Sequence, residues 1–449
     1  MRDIFKRIEK NNYLPKDTPG HGFDGFFETT MQKPGALQNP ILGIMQAEAA
    51  SMGKDPAKIV DMLGTDPNGL EPNRDKNAGI YGLPSHTKSN GVRYSARDYI
   101  LATIAAKYPL TLSMTSLATK VLFSPTKCNG KPKATGVEYL VGKSIYRGDS
   151  RYKPANNGTK KTATARKEVI LSGGAFNSPQ LLMLSGIGEA AHLQKFNIPV
   201  VVDLPGVGKN LMDNQEMPIV GQLTGGAGFG STGAVMLKTK FAPYGERDMF
   251  VMQGPFVFRG FWPQSQSNRA LNQDPQGAYG ISMVKQHPQN TKGYVRLASA
   301  DPQDIPDINF NLYAEGKETD MGAMKEVIAW ARGIHKNATT PLKSVEPPCP
   351  NGPDASGSCG QADEDWIYAQ TFGHHPTSTN KIGTDSDKFA VLDGRFRVRG
   401  VANLRVVDAS AFPRTPGIFP VVSTFIISQK AADTILEDVK KPDQCAASS

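Results

Sequence analysis

A chain of 449 residues with 39% hydrophobic and 21% charged residues is long enough for two or more folding units and too apolar for a disordered polymer. Its formal charge of +9 comes from scattered basic residues; no nucleic-acid-reading motif accompanies them, which argues against a nucleic-acid partner. No apolar run approaches the roughly 18 residues of a membrane span.

The first residues, "MRDIFKRIEKNNYLPKD", are charged at once and lack the apolar segment of a secretory signal. Residues 1–90 are turn-rich, with one helical stretch near "NPILGIMQAEAASMG" (39–53). "SARDYILATIAAKYP" (95–109) reads as an amphipathic helix stopped at Pro109, and "LTLSM", "TKVLFS" and "ATGVEYLVG" read as strands. The basic "TKKTATARKE" (159–168) reads as a solvated hairpin or loop. "KEVILSGG" reads as a buried strand ending on Gly173 and Gly174, and "SPQLLMLSGIG" (178–188) as a helix with Ser178 as N-cap and Pro179 at its first position. Such a strand–glycine–helix turn points backbone N–H groups at whatever lies above the strand.

From about residue 215 the pattern changes. "DMFVMQGPFVF", "GAYGISMVKQ" and "GYVRLAS" read as strands of one antiparallel sheet, and "ETDMGAMKEVIAWARGIHK" (318–336) as a helix. After 385 come short strands, "AVLD", "FRVRG" and "LRVVDAS", then a final helix, "VSTFIISQKAADTILEDVKK". Cys349 and Cys359 bracket "CPNGPDASGSC", a spacing open to a small disulfide loop. With the sequons Asn157-Gly158-Thr159 and Asn337-Ala338-Thr339, triplets that also arise by chance, this leaves a secreted glycoprotein open.

Four segments carry a resemblance. "GGAFNSPQLLMLSGIG" (173–188), "IPVVVDLPGVGKNLMDN" (198–214), "HPTSTNKIG" (375–383) and "FRVRGVANLRVVDASAFPRTPG" (396–417) resemble, in family order, the glucose-methanol-choline (GMC) oxidoreductases. These are FAD enzymes that oxidise alcohols and sugars, and the resemblance runs from about residue 5 to 437. It implies an α/β (α+β) fold: a discontinuous FAD-binding-type domain (91–214 and 385–440) and a substrate domain (215–384) with an antiparallel sheet flanked by helices. Residues 1–90 are expected to cover both.

The implied chemistry needs a base for the hydroxyl proton and an acceptor for the carbon-bound hydride. Neutral imidazole suits the first task, and FAD the second. The match to "HPTSTNKIG" puts the base on His375, leaving His374 to point elsewhere or support the loop. The family's second His or Asn falls on Phe419, which makes no conventional hydrogen bond; it reads equally as a pocket wall over the flavin or as core packing. Asn214 stands where the family usually has His. Asp408 and Ala409 match the segment near the FAD pyrophosphate and ribityl chain, with Asp408 alternatively a turn cap, and Phe419 and Pro420 match a flavin contact. No metal is implied. The aromatic residues Phe256, Phe258, Phe261 and Trp262 read equally as sheet packing and as substrate contacts.

The family's opening strand–GxGxxG–helix unit, which holds the ADP half of FAD, is not among these residues. "GIGEAA" (186–191) lies at a helix end, and "GGAGFG" (225–230) has the wrong spacing. A truncated sequence, a processed fragment and a short paralogue all fit, and weak FAD binding is expected. The resemblance implies an alcohol or sugar as substrate and leaves the electron acceptor open between oxygen, a quinone and another carrier. Two competing functions stay open: a flavin-free remnant or binding protein, and a non-redox cyclase- or lyase-type relative.

Overall fold

The apolar runs "EMPIVGQ" and "AYGISMVK" become paired antiparallel strands, Glu216–Gln222 and Ala278–Lys285, buried along almost their whole length. They sit in a computed structural model that describes residues 1–33, 35, 37–224, 233–260 and 274–441. Contacts group the chain into two units. The first comprises Met1–Tyr108, Asn214–Gln289 and Gly316–His374; the second comprises Pro109–Asp213, Asn290–Glu315 and the chain from His375 onward.

In the first unit the two central strands belong to a six-stranded antiparallel sheet. Met249–Gly254, Ala234–Leu237 and Gly79–Tyr81 extend it on one side and Lys343–Glu346 on the other. Ile219 lies opposite Ile281, and Met217 opposite Met283, so large apolar side chains pair across the strands. Helix Lys317–Asn337 buries Met321, Met324, Val327, Ile328, Ala331 and Ile334, the spacing of one helical face, against this sheet. Gly221 is required where the His335 ring approaches: a Cβ there would stand 2.8 Å from His335 Nε2. Cys349 and Cys359 form the disulfide that their spacing left open, with Cα atoms 5.7 Å apart.

In the second unit "KEVILSGG" and "LRVVDAS" supply the parallel strands Val169–Leu171 and Leu404–Val406, in register from Leu404 opposite Val169. Their side chains join Leu182, Val391, Leu392 and Ile427 in one core. A three-stranded antiparallel sheet is formed by Ser116–Phe123, Ala134–Val141 and Thr159–Thr164. The last of these is the basic segment read as a hairpin or loop; it is an exposed edge strand.

Other readings also need correction. The helix after Gly173 starts at Gly174 and runs to Leu184, with Pro179 inside it. Proline has no N–H for the Ala175 carbonyl four residues back; the Thr379 hydroxyl donates to that carbonyl instead, at 2.7 Å. Ser178 is not a cap: its hydroxyl donates to Asp408 and accepts from the Gly173 N–H. "GYVRLAS" forms a strand, Gly293–Arg296, but it pairs with Lys209–Leu211 and Asp307–Asn309 in the second unit. "LTLSM", "AVLD" and "FRVRG" make no regular strand. Helix Ala96–Ala105 has its start held by a Ser95–Asp98 capping box but buries none of its residues.

The unit boundaries therefore depart from 1–90, 91–214, 215–384 and 385–440. Residues 1–90 contribute strand Gly79–Tyr81 to the first unit's sheet, residues 91–108 join them, and residues 290–315 and 375–384 belong to the second unit. Sequence periodicity reveals a strand but not the sheet that receives it.

Candidate active site

Within the second unit the segment after His375 is held by backbone pairing. Thr377 and Met212 exchange both backbone hydrogen bonds, at 2.9 and 3.2 Å. The N–H groups of Ser378, Asn380 and Ile382 then donate in turn to the carbonyls of Ala409, Ser410 and Ala411. Thr377, Ser378, Thr379 and Asn380 are fully buried. Ser378 has a φ of 75°, a left-handed backbone that a non-glycine residue adopts only where its surroundings impose it.

This pairing lays His375 beside the turn after strand Leu404–Val406 and the start of helix Pro420–Val439. The His375 ring is 5.2 Å from the Phe419 ring, centroid to centroid, at 76°. That is an edge-to-face contact between a titratable ring and an apolar one. His375 is 5% exposed, and its own N–H donates to Asp213 Oδ1 at 2.8 Å. Phe419 is the N-cap residue of the helix, and Pro420 occupies its first turn, where a missing N–H costs nothing.

Asp408 fulfils the turn-capping alternative. One carboxylate oxygen accepts from the Ser410 N–H at 2.8 Å, and the other from the Gly174 N–H at 3.0 Å and the Ser178 hydroxyl at 2.6 Å. These bonds join the two parallel strands' C-terminal turns. Ala409 follows it in the short 3₁₀ turn Ala409–Ala411. Asn380 donates from Nδ2 to the Ser410 hydroxyl at 3.0 Å, but its Oδ1 is buried and meets no donor among the described residues. A buried amide oxygen beside this turn has capacity for one more donor.

His374 belongs to the first unit, so the unit boundary falls between the two histidines. Its Nδ1 is 2.9 Å from Glu216 Oε2, and its ring lies near those of Phe258 and Phe372, at 5.7 and 6.3 Å. Of the other aromatic candidates, Phe256 is largely exposed, and Phe261 and Trp262 lie outside the described residues, as does "GGAGFG". Asn214 donates from Nδ2 to the carbonyls of Lys285 and Gln286, at 2.6 and 3.3 Å, tying together two strand ends of the first unit. Sequence reasoning did not single out Asp213, Glu216 or Asn380. Asp213 precedes Asn214 and Glu216 lies two residues after it, but nothing local to them announces the partners they meet.

Comparison with known proteins bears on this geometry. The N- and C-terminal profiles of the GMC oxidoreductases match residues 52–216 and 288–428. The glucose methanol choline oxidoreductase atC of Aspergillus terreus is 33% identical over 416 residues, covering 82% of this chain and 62% of that protein. The mitochondrial choline dehydrogenase of Homo sapiens is 34% identical over 380 residues, covering 79% of this chain and 58% of that protein. The chain thus spans about three fifths of the length of these two relatives. Among solved structures, a formate oxidase variant of Aspergillus oryzae superposes with a TM-score of 0.74 at 19% identity, over 98% of this chain and 78% of that one, a likeness of fold. The two profiles together cover most of the chain, including the segments assembled here, and the chain belongs to the GMC oxidoreductase family.

Proposed function

We propose that the chain is the alcohol-oxidising part of an FAD-dependent oxidoreductase acting on the CH–OH group of a small alcohol or sugar, with His375 as the base. The convergence of His375, Phe419 and the Asp408–Ala411 turn within one unit carries this reading. Family membership supports the reaction class, and the human relative's name, a choline dehydrogenase, supports an alcohol substrate. The first unit, with its antiparallel sheet, is assigned to the substrate on the resemblance alone.

The residues present fit the flavin-side half of FAD. Asn380 Oδ1 is an unmatched acceptor suited to a ribityl hydroxyl. Ala409 begins a turn held rigid by Asp408, and Phe419 and Pro420 begin a helix whose first amides favour electron-rich groups. Asp408 would then act by shaping the turn, since its oxygens already meet three internal donors.

FAD, when bound, supplies the acceptor for the carbon-bound hydride. Neutral His375 takes the hydroxyl proton as the C–O bond becomes a carbonyl, and later releases that proton to solvent. Phe419 presents an apolar ring where a second hydrogen-bonding group would otherwise help hold the alkoxide. Orientation of the substrate oxygen therefore rests on His375.

Phe419 also favours one second reading, a cyclisation or elimination that uses His375 with no net redox change. Titration of the full chain with FAD, then anaerobic mixing with a panel of primary alcohols and sugars, separates the two. Bleaching of the flavin absorbance by at least one compound is expected. Substrate turnover with the flavin left oxidised would instead support the non-redox reading, and no FAD binding at saturating FAD would remove the oxidoreductase assignment.

A further inference from the structure

The backbone donors around His375 pass from a main-chain acceptor to a side-chain one. Met212 and Thr377 pair as an antiparallel bridge. Hydrogen-bonded positions alternate along an antiparallel pair, so Pro376, which has no N–H to give, falls where none is required. The next donor along the chain is the N–H of His375, and a side chain receives it: Asp213 Oδ1, at 2.8 Å. Asp213 is 3% exposed, and a carboxylate buried to that degree is costly unless the fold puts it to use.

We propose that Asp213 is the positioning residue of the active site, holding the base by its backbone. The proposal rests on the reading of His375 as that base. Three constraints meet at one residue. The N–H of His375 is fixed by its bond to Asp213 Oδ1. Pro376 restricts the backbone of the residue before it to extended conformations. Thr377, immediately after, is tied to Met212 in both directions. With its main chain held on both sides, the imidazole is left with side-chain torsions alone, and these bring it edge-to-face with Phe419. Pre-orientation of this kind is what a proton-abstracting base needs, because small displacements of a reacting group cost large factors in rate.

The test uses the full chain and two readouts. In FAD-free protein, amide hydrogen exchange at His375 reports the anchor itself. In protein saturated with FAD, substrate-driven flavin reduction reports its consequence. Asp213→Asn keeps a carbonyl oxygen in place; exchange should remain slow and the rate within about threefold of the original. Asp213→Ala should speed exchange at His375 and lower the limiting rate about tenfold or more, with KM within about twofold. Asp213→Glu, which keeps the charge but displaces the oxygen by one methylene, should fold and still lose rate, and it decides the matter if the alanine variant does not fold. Unchanged exchange in Asp213→Ala, or an undiminished rate in Asp213→Glu, would overturn the proposal. A parallel His375→Ala separates the two levels: full activity there removes the base, whereas lost activity there with intact Asp213 variants removes only the positioning role.

Discussion

In the first unit, several buried carboxylates are met by cations. Asp363 faces Arg332 at 2.7 Å, Asp248 faces Lys285 at 3.1 Å, and His21 lies between Glu9 and Asp66 at 3.0 and 2.9 Å. At the candidate site of the second unit, buried carboxylates are met by main-chain and hydroxyl donors. Asp408 takes the N–H groups of Gly174 and Ser410 with the Ser178 hydroxyl, and Asp213 takes the N–H of His375. An ion pair ties two side chains and tolerates small shifts of backbone, whereas a carboxylate bound to amides dictates the path of the chain. The two histidines show the same contrast. His374 is anchored through its ring to an acid, and His375 through its backbone.

Breaking a cation–carboxylate pair should have the largest effect on stability. Asp363→Ala would leave Arg332 buried with, among the described residues, only the carbonyl partners of Pro347 and Gly357. About 3–5 kcal/mol of unfolding free energy should be lost, as read by urea denaturation. A loss under about 1 kcal/mol would mean that the first unit does not depend on such pairs. The double substitution Cys349→Ser with Cys359→Ser reopens a short loop in the same unit and should cost about 2.5–3 kcal/mol on the chain-entropy estimate. Equal stability with and without a reductant would contradict it.

The first unit should also weaken in alkali. Burial alone would lower the His21 imidazole, but hydrogen bonds to Asp66 and Glu9, with their charges, lift it to about 9 from an ordinary 6.5. Burial lifts Glu48 to about 8 from 4.5, against a lowering by the Gln253 hydrogen bond. Both folded-state values exceed the unfolded ones, so the folded state holds these protons more tightly. Their stabilisation is complete below 4.5 for Glu48 and 6.5 for His21, and is lost as pH rises through 8 and 9 respectively. The urea midpoint should therefore fall between pH 6.5 and 9, and Glu48→Gln should flatten the part of that fall below 8. A midpoint that rises over this window would contradict both assignments.

The smallest expected effect lies in the second unit. Phe419→Asn should fold normally and raise flavin reduction by up to about fivefold, the scale of one added hydrogen bond to substrate. A tenfold fall would show that the aromatic ring, and not a polar partner, is what this site requires.

Much of this molecule is legible along the chain. The apolar "VIL" before Gly173 and Gly174 announces strand and turn, and the face spacing of residues 321–334 announces the long helix. The GMC resemblance brings out His375, Phe419 and Asp408 together, and the structure assembles them in one unit. What local pattern misreads depends on distant partners. Ser178 before Pro179 has the look of a cap, yet its hydroxyl goes to Asp408, far away in sequence. Asp213 is an unremarked acid until the fold brings His375 to it. The unit boundaries are hidden for the same reason, since the chain passes between the units five times and composition shifts at only some of the crossings.

The base assignment is tested most directly by comparing His375→Ala with His374→Ala in FAD-saturated protein, following flavin reduction by stopped flow. His375→Ala should slow reduction on the order of 100-fold or more, the usual scale of a lost general base. His374→Ala should cost far less, because its ring pairs with Glu216 in the first unit. Equal losses at the two positions would mean that the pair acts through loop structure, and would contradict the assignment of His375 as the base.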